Sequence, residues 1–250
     1  KTTKQGDWIL GFGWDQNLWT KHELPNNNIL NRIQEYPIAL TRIDGHAIWV
    51  NETAIKSIGQ NCETLNNIVG GKVINDCILV DNAMEPIRQE LPGDESDNIS
   101  RWIKNAAQFA AEMGLTAVHD AWQDKLIIDA ITSLIDNDEF QIKCYGMIGS
   151  SHTDLLNKYF SEGHYESPLY NIRSVKAFID GALGSRGAAL IKPYSDDENN
   201  CGLILISKDE FKNLAKICSE NNFQLCTHAI GDRGNQIVLD IYSKYTQNKN

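Results

Sequence analysis

The 250 residues carry 23 basic and 33 acidic side chains, a formal net charge of −10. That balance excludes nucleic acid and anionic membrane surfaces as partners, because both require a basic footprint. Hydrophobic residues make up 42% and no apolar run approaches the ~18 residues of a membrane span, so the composition predicts one or two globular domains. The six cysteines, at 62, 77, 144, 201, 218 and 226, form no C-x-x-C pair. They are expected to be reduced, with Cys144 and Cys226 packed inside apolar runs, which suits a cytoplasmic location.

Residues 1–99 are rich in Trp, Asn and Gly and show little helix–strand alternation. Their clearest ordered element is Pro37 to Asn51, and Gly70-Gly71 and Leu91-Pro92-Gly93 mark turns. Residues 100–250 alternate helix and strand signals. Trp102, Ile103, Ala106, Phe109, Ala110 and Met113 fall on one helical face, and Gly114 follows as a stop. Leu115 to Ala121 reads as a strand. Leu126, Ile127, Ala130, Ile131 and Leu134 repeat at helical spacing. Phe140 to Ile148 and Arg173 to Ile179 read as further strands. Ser207 with Glu210 is a capping-box signature for a helix carrying Phe211, Leu214, Ala215 and Cys218. Phe223 to Ile230 is a fourth strand, and a last helix begins near Asp232. Four strand–helix units predict an α/β fold with a parallel sheet. They are too few to close an eight-stranded barrel, so the expectation is part of a larger protein: an N-terminal insertion segment, residues 1–99, beside a partial barrel, residues 100–250. The open sheet edges favour self-association, a homodimer for instance.

H-E-x-x-H, H-x-H, G-x-S-x-G and phosphate-loop motifs are absent. Chemistry is therefore sought at strand C-terminal ends, where barrel active sites sit. Lys176 lies inside an apolar strand, where a lysine is costly unless neutralised, paired or modified. It is either an outward-facing side chain with a solvated tip or an amine of lowered pKa able to form a carbamate. His228 ends an apolar strand ahead of Gly231-Asp232. It is either a buried histidine on a backbone carbonyl or a metal ligand. His119 and Asp120 close another strand as candidates for a hydrogen-bonding pair around a site. Asp180 precedes Gly181 and either binds substrate or caps the following loop. Arg186, in a Gly/Ala-rich loop, is a carboxylate clamp or a solvated arginine. His46, followed by Trp49 and Asn51, suits a substrate pocket or a turn with a buried tryptophan. His22, His152 and His164 lie in polar loops and receive no role.

Taken together, GFGWDQNLW (11–19), RIDGHAIWVN (42–51), ILVDNAM (78–84), GLTAVHDAW (114–122), VKAFIDGALGSRGAAL (175–190) with PY (193–194), and THAIGDRGN (227–235) resemble the YtcJ-like amidohydrolases, a group that includes N-substituted formamide deformylases. The resemblance implies a partial (β/α)8 TIM-type barrel, about strands 2–5, with residues 1–99 inserted between strands 1 and 2. It implies a divalent metal, zinc as one or two ions, with Lys176 and His228 matching the ligands of strands 4 and 5. The remaining ligands of that pattern have no counterpart in the chain. Two donors are fewer than the about four that zinc takes, so this polypeptide alone is expected to be inactive. The implied reaction is hydrolysis of an amide or other C–N bond in a small molecule by metal-activated water, with His46, Trp49, Asp180 and Arg186 at the substrate. The alternative is a truncated, non-catalytic chain that binds a small ligand or a partner; an unrelated open α/β sheet is the third reading.

Overall fold

The computed structural model describes residues 7–92 and 96–245, and the chain divides into two units. The first comprises the chain up to Pro92 together with Phe178–Lys208 and Ala229–Leu239; the second comprises Gly93–Ala177, Asp209–His228 and the chain from Asp240. Residues 178–208 and 229–239, which lie within the expected second part (100–250), group with the first unit. The loop that follows the third predicted strand is tied to the N-terminal segment, where Asn82 Nδ2 donates to Leu205 O at 3.0 Å and Gln16 Nε2 to Gly184 O at 3.3 Å, and the loop after the fourth is tied to it in turn through the amides of Ile230 and Gly231, which donate to Asp180.

In the first unit, β1 (Ile9–Trp14), β2 (Ile38–Arg42), β3 (Ala47–Val50), β4 (Gly71–Ile74) and β5 (Ile78–Asp81) form one sheet in the order β1-β2-β3-β5-β4. β1 runs parallel to β2, and the other pairs are antiparallel. Only the β2–β3 hairpin, inside Pro37 to Asn51, is legible in the sequence. β3 and β5 are buried at every position, so they lack the period-2 alternation that marks a half-buried strand. Three short helices cover one face: α1 (Glu52–Ser57), α2 (Cys62–Asn66) and α3 (Glu85–Glu90). Asn51 caps α1 by accepting from Ala54 N, and Asn61 with Thr64 closes a capping box on α2, each satisfying amides that a helix start leaves unpaired. Ile48, Val50, Leu65, Leu79 and Ile87 pack on that helix-covered side, and Ile38, Trp49, Ile78 and Val80 form a second cluster.

In the second unit, α4 (Ser96–Glu112), β6 (Ala117–Gln123), α5 (Lys125–Asp136), β7 (Lys143–Gly149) and α6 (Thr153–Glu162) lead to a short β8 (Tyr165–Glu166) and the long β9 (Tyr170–Phe178). After them come α7 (Lys208–Glu220), β10 (Gln224–His228) and α8 (Asp232–Tyr245). The sheet runs β10-β9-β7-β6, with β8 antiparallel against β9. β6–β7 and β7–β9 pair in parallel, as the repeated strand–helix units require. Tyr170, Ile172 and Val175 pack with Ile128, Ile131, Leu156, Cys218 and Phe223 in one core. On α4, Ile103 and Ala110 reach that core together with Ala107. The predicted face is corrected there: Trp102, Phe109 and Met113 are exposed. α6 and β8 escaped the sequence reading. Among the described residues no helix is long and apolar enough to cross a membrane, and the six cysteines form no disulfide.

Candidate functional site

The second unit carries the candidate metal donors. Residues paired across parallel strands project to the same side of a sheet, and alternate residues share a face. By register, His119, Tyr145 and Asn171 share one face. The same face continues through Met147 and Ser174 to Gly149 and Lys176, the last pair near the C-terminal strand ends. Two β-bulges hold this alignment. One falls between Ala121 and Gln123 on β6, the other where Gly146 and Met147 of β7 meet Ile172 and Ser174 of β9. On β10, beside β9, Cys226 and His228 share a face by the same alternation. Burial pulls the Lys176 ammonium below the usual lysine value, and the nearby Cys226 thiol acts the other way. Burial raises the Cys226 thiol, opposed by Lys176 and by a hydrogen bond with Ser174. Lys176 and His228, separated by 52 positions in sequence, thus stand on adjacent strands, and Lys176 is partly desolvated as the carbamate reading requires.

Lower on that face the His119 ring lies 5.1 Å from Tyr145, and Tyr145 Oη donates to Gln224 Oε1 at 2.8 Å. A groove of about 890 Å³ is lined there by His119, Tyr145, Met147, Arg173, Gln224 and Cys226 among others. Asp120 points to the other side. It accepts from Gln123 Nε2 at 2.8 Å, and Gln123 Oε1 accepts from Tyr170 Oη at 2.6 Å. Burial pushes the Asp120 carboxyl above its ordinary value. The expected His119–Asp120 pair is therefore not formed: adjacent strand residues alternate faces.

The first unit holds the other candidates, gathered by the loop after β9. His46 Nδ1 lies 2.6 Å from Asp81 Oδ1, with the aspartate side chain 1% exposed, and the imidazole stands edge-on to Phe178 at 6.1 Å. The Asp81 backbone is left-handed, φ 50° and ψ −120°, a conformation costing about 1–3 kcal/mol that surrounding structure must sustain. Gly181 and Gly187 leave room for the Asp81 carboxylate, since a Cβ on either would collide with it. Asp81 was not singled out from sequence; an aspartate closing a fully buried strand was the available signal. Asp180 is fully buried. Its Oδ2 accepts from the amides of Ala189 (2.9 Å) and Gly231 (2.8 Å), and its Oδ1 from Ile230 (2.9 Å). It holds two loops together in place of presenting an open carboxylate. Arg186 is ion-paired to Asp196 and stacks over Tyr194 at 5.6 Å, so its guanidinium is committed within the loop. Trp49 is 9% exposed and packs edge-on to Trp14 at 6.4 Å, a core position. Arg42, also buried, is paired with Asp15 at 2.7 Å and with Asp44, and its Nε donates to Gln16 Oε1 at 2.9 Å.

Whether these residues fit a divalent ion is decided by their donors. Among the described residues no three His, Cys, Asp or Glu side chains converge to hold a metal. Lys176 and His228 could offer two donors, fewer than the about four ligands of zinc. The described residues fit a partial donor set.

Similarity to known proteins extends over nearly the whole chain. It is 29% identical over 262 residues to the Arabidopsis thaliana protein LONG AFTER FAR-RED 3, covering 97% of this chain and 44% of that protein. It is 25% identical over 253 residues to YtcJ of Bacillus subtilis (strain 168), covering 96% and 47%. The chain thus spans about half the length of these relatives. The crystal structure of an uncharacterised metal-dependent hydrolase from Pyrococcus horikoshii superposes with a TM-score of 0.66 at 23% identity, covering 96% of this chain and 48% of that one. A family model described as the amidohydrolase family (Amidohydro_3) matches residues 1–250.

Proposed function

The chain belongs to the amidohydrolase family, and from that premise we propose that it carries one side of the metal centre of a hydrolase acting on amide or other non-peptide C–N bonds. The placement of Lys176 and His228 on neighbouring strands, at the end of the sheet where barrel enzymes place their chemistry, carries the reading. In this reading β6, β7, β9 and β10 are strands 2–5 of a (β/α)8 barrel. Lys176 and His228 would hold the ion, zinc by its preference for nitrogen and oxygen donors, and further donors from outside these two strands would complete the shell. When bound, the ion supplies a Lewis acid and lowers the pKa of water.

The chain's own contribution is to prepare the ligands. Desolvation lowers the Lys176 pKa, so the neutral amine is more accessible than in an exposed lysine. That amine adds to carbon dioxide: an N–C bond forms, one C=O electron pair moves onto oxygen, and the amine proton leaves to solvent. The product is a carbamate whose single negative charge is shared by two oxygen donors. His228 contributes a neutral imidazole nitrogen, and His46, oriented through Nδ1 by Asp81, is assigned to the substrate. N-substituted formamides are the substrate class that the family resemblance supplies.

The test uses the full-length protein with N-benzylformamide, reading turnover and bound metal together. Lys176→Ala and His228→Ala should each lower bound metal and reduce turnover by at least about 100-fold, more than is typical for residues that only support a ligand. Full activity in the double variant would refute the assignment. A second reading, a non-catalytic chain that binds a small ligand, draws on the shortage of donors among the described residues. It predicts no metal-dependent turnover in the full-length protein.

A further inference from the structure

His152 follows the C-terminal end of β7, and three features of the second unit converge on it. Trp122 is the extra residue of the β6 bulge: Ala121 pairs with Met147 and Gln123 with Ile148, and bulges beside active sites re-aim side chains. The re-aimed indole and the His152 imidazole both descend onto Gly149. A Cβ there would lie 2.6 Å from Trp122 Cε2 and 2.9 Å from His152 Cδ2, and the two rings are 5.9 Å apart. Gly149 pairs with Lys176, so the side on which its missing Cβ would stand is the side to which Lys176 projects. Glycine at 149 is what lets both rings close over the strand beside Lys176. Finally, His152 Nε2 is buried and has no hydrogen-bond partner. Such an orphaned nitrogen costs about 1–3 kcal/mol, and native structures leave few of them.

We propose that His152 is a substrate-binding residue. Its Nε2–H donates to the carbonyl oxygen of an amide-type substrate bound on the Lys176 side of the sheet, and the Trp122 indole forms the wall against which that substrate packs. The assignment rests on the hydrolase reading. The bond strengthens as the oxygen gains negative charge, so its loss is expressed in turnover as well as in binding.

The experiment compares the full-length parent with His152→Ala and His152→Gln, using N-benzylformamide as probe and measuring bound metal in each. In His152→Ala, kcat/KM should fall about 100-fold with metal content unchanged, the scale seen when one oxyanion donor is removed. His152→Gln, which keeps an N–H donor, should recover about tenfold of that loss. Parent-like kcat/KM in His152→Ala overturns the proposal. So does loss of metal in that variant, which would make His152 a ligand. Binding is read separately, by titration calorimetry of N-benzylformamide into the metal-free protein. Affinity should fall at least about tenfold, or 1.4 kcal/mol, in His152→Ala; equal affinities, or no binding by the parent, overturn the proposal. A parent that binds the probe through His152 without hydrolysing it defeats the hydrolase reading alone.

Discussion

Removing the Asp180 carboxylate should release two loops at once. The side chain is fully buried and accepts three amides, from Ala189, Ile230 and Gly231, at 2.8–2.9 Å. Hydrogen bonds to a charged group are worth about 1.5–3 kcal/mol each, so three represent about 4.5–9 kcal/mol gross by the same scale. Water entering the vacated space re-satisfies part of this, and the net cost of Asp180→Ala is expected near 4 kcal/mol, at the upper end for single substitutions. Asp180→Asn is informative because its geometry limits it. With its oxygen at the Oδ2 position it keeps Ala189 and Gly231, but its NH2 then faces the Ile230 amide, donor against donor. The Ile230 bond is lost and the two that remain become neutral, so the cost is at least that of one charge-assisted bond, about 1.5–3 kcal/mol. Urea unfolding at constant pH measures both costs, and hydrogen exchange reads the mechanism. The amides of Ala189, Ile230 and Gly231 should lose protection together in the alanine variant, and Ile230 most in the asparagine variant. An alanine variant with an unchanged urea midpoint and full protection at those three amides would refute the reasoning.

Two further substitutions probe the polar network behind the second unit's sheet. Burial raises the Asp120 pKa above the about 3.9 of an unfolded aspartate. Between those two values the folded state binds more protons than the unfolded state, so this group lowers stability as pH rises through the window. The full penalty stands above the folded pKa and vanishes below the unfolded one. Asp120→Asn should therefore stabilise the protein at pH 7, with a gain that shrinks toward zero as pH approaches about 3.9; thermal melts across that range check it, and a pH-independent gain contradicts the burial argument. Gly146→Ala would drive a Cβ into Gln123 Oε1 and to within 3.0 Å of Tyr170 Cε2, where Gln123 and Tyr170 are both fully buried. Overpacking of this kind costs about 1–3 kcal/mol, read as a lower Tm with far-UV circular dichroism unchanged; an unaltered Tm would mean that the network yields.

The long, periodic elements of the second half were legible because helix and strand periods are local properties. α5, α7, β7, β9 and β10 emerge from apolar spacing and, for α7, from the capping-box signature of Ser207 with Glu210. The four strand–helix units and their parallel order follow from the same pattern. Lys176 and His228 could be singled out because an ionisable residue in an apolar strand is expensive wherever the strand lies. Periodicity fixes an apolar arc but not the sector of it that a neighbour covers. Trp102, Phe109 and Met113 sit on the predicted face of α4 and remain exposed, while Ala107 does the packing. The first unit's five-stranded sheet was largely invisible because its central strands are buried on both sides and only four residues long.

What tertiary structure alone decided is which polar residues meet. Asp81 reaches His46 across 35 positions, and Asp180 reaches Ile230 and Gly231 across 50 and 51. The pleat sends His119 and Asp120 to opposite faces, and a one-residue bulge turns Trp122 toward Gly149 and His152. Neither local propensity nor hydrophobic period encodes such encounters, because each depends on strand register and on the space left by a distant glycine. The sequence by itself determined that Lys176 and His228 carry an unusual cost at strand ends. The fold placed them on adjacent strands and brought His152, with its orphaned nitrogen, over the glycine paired with Lys176.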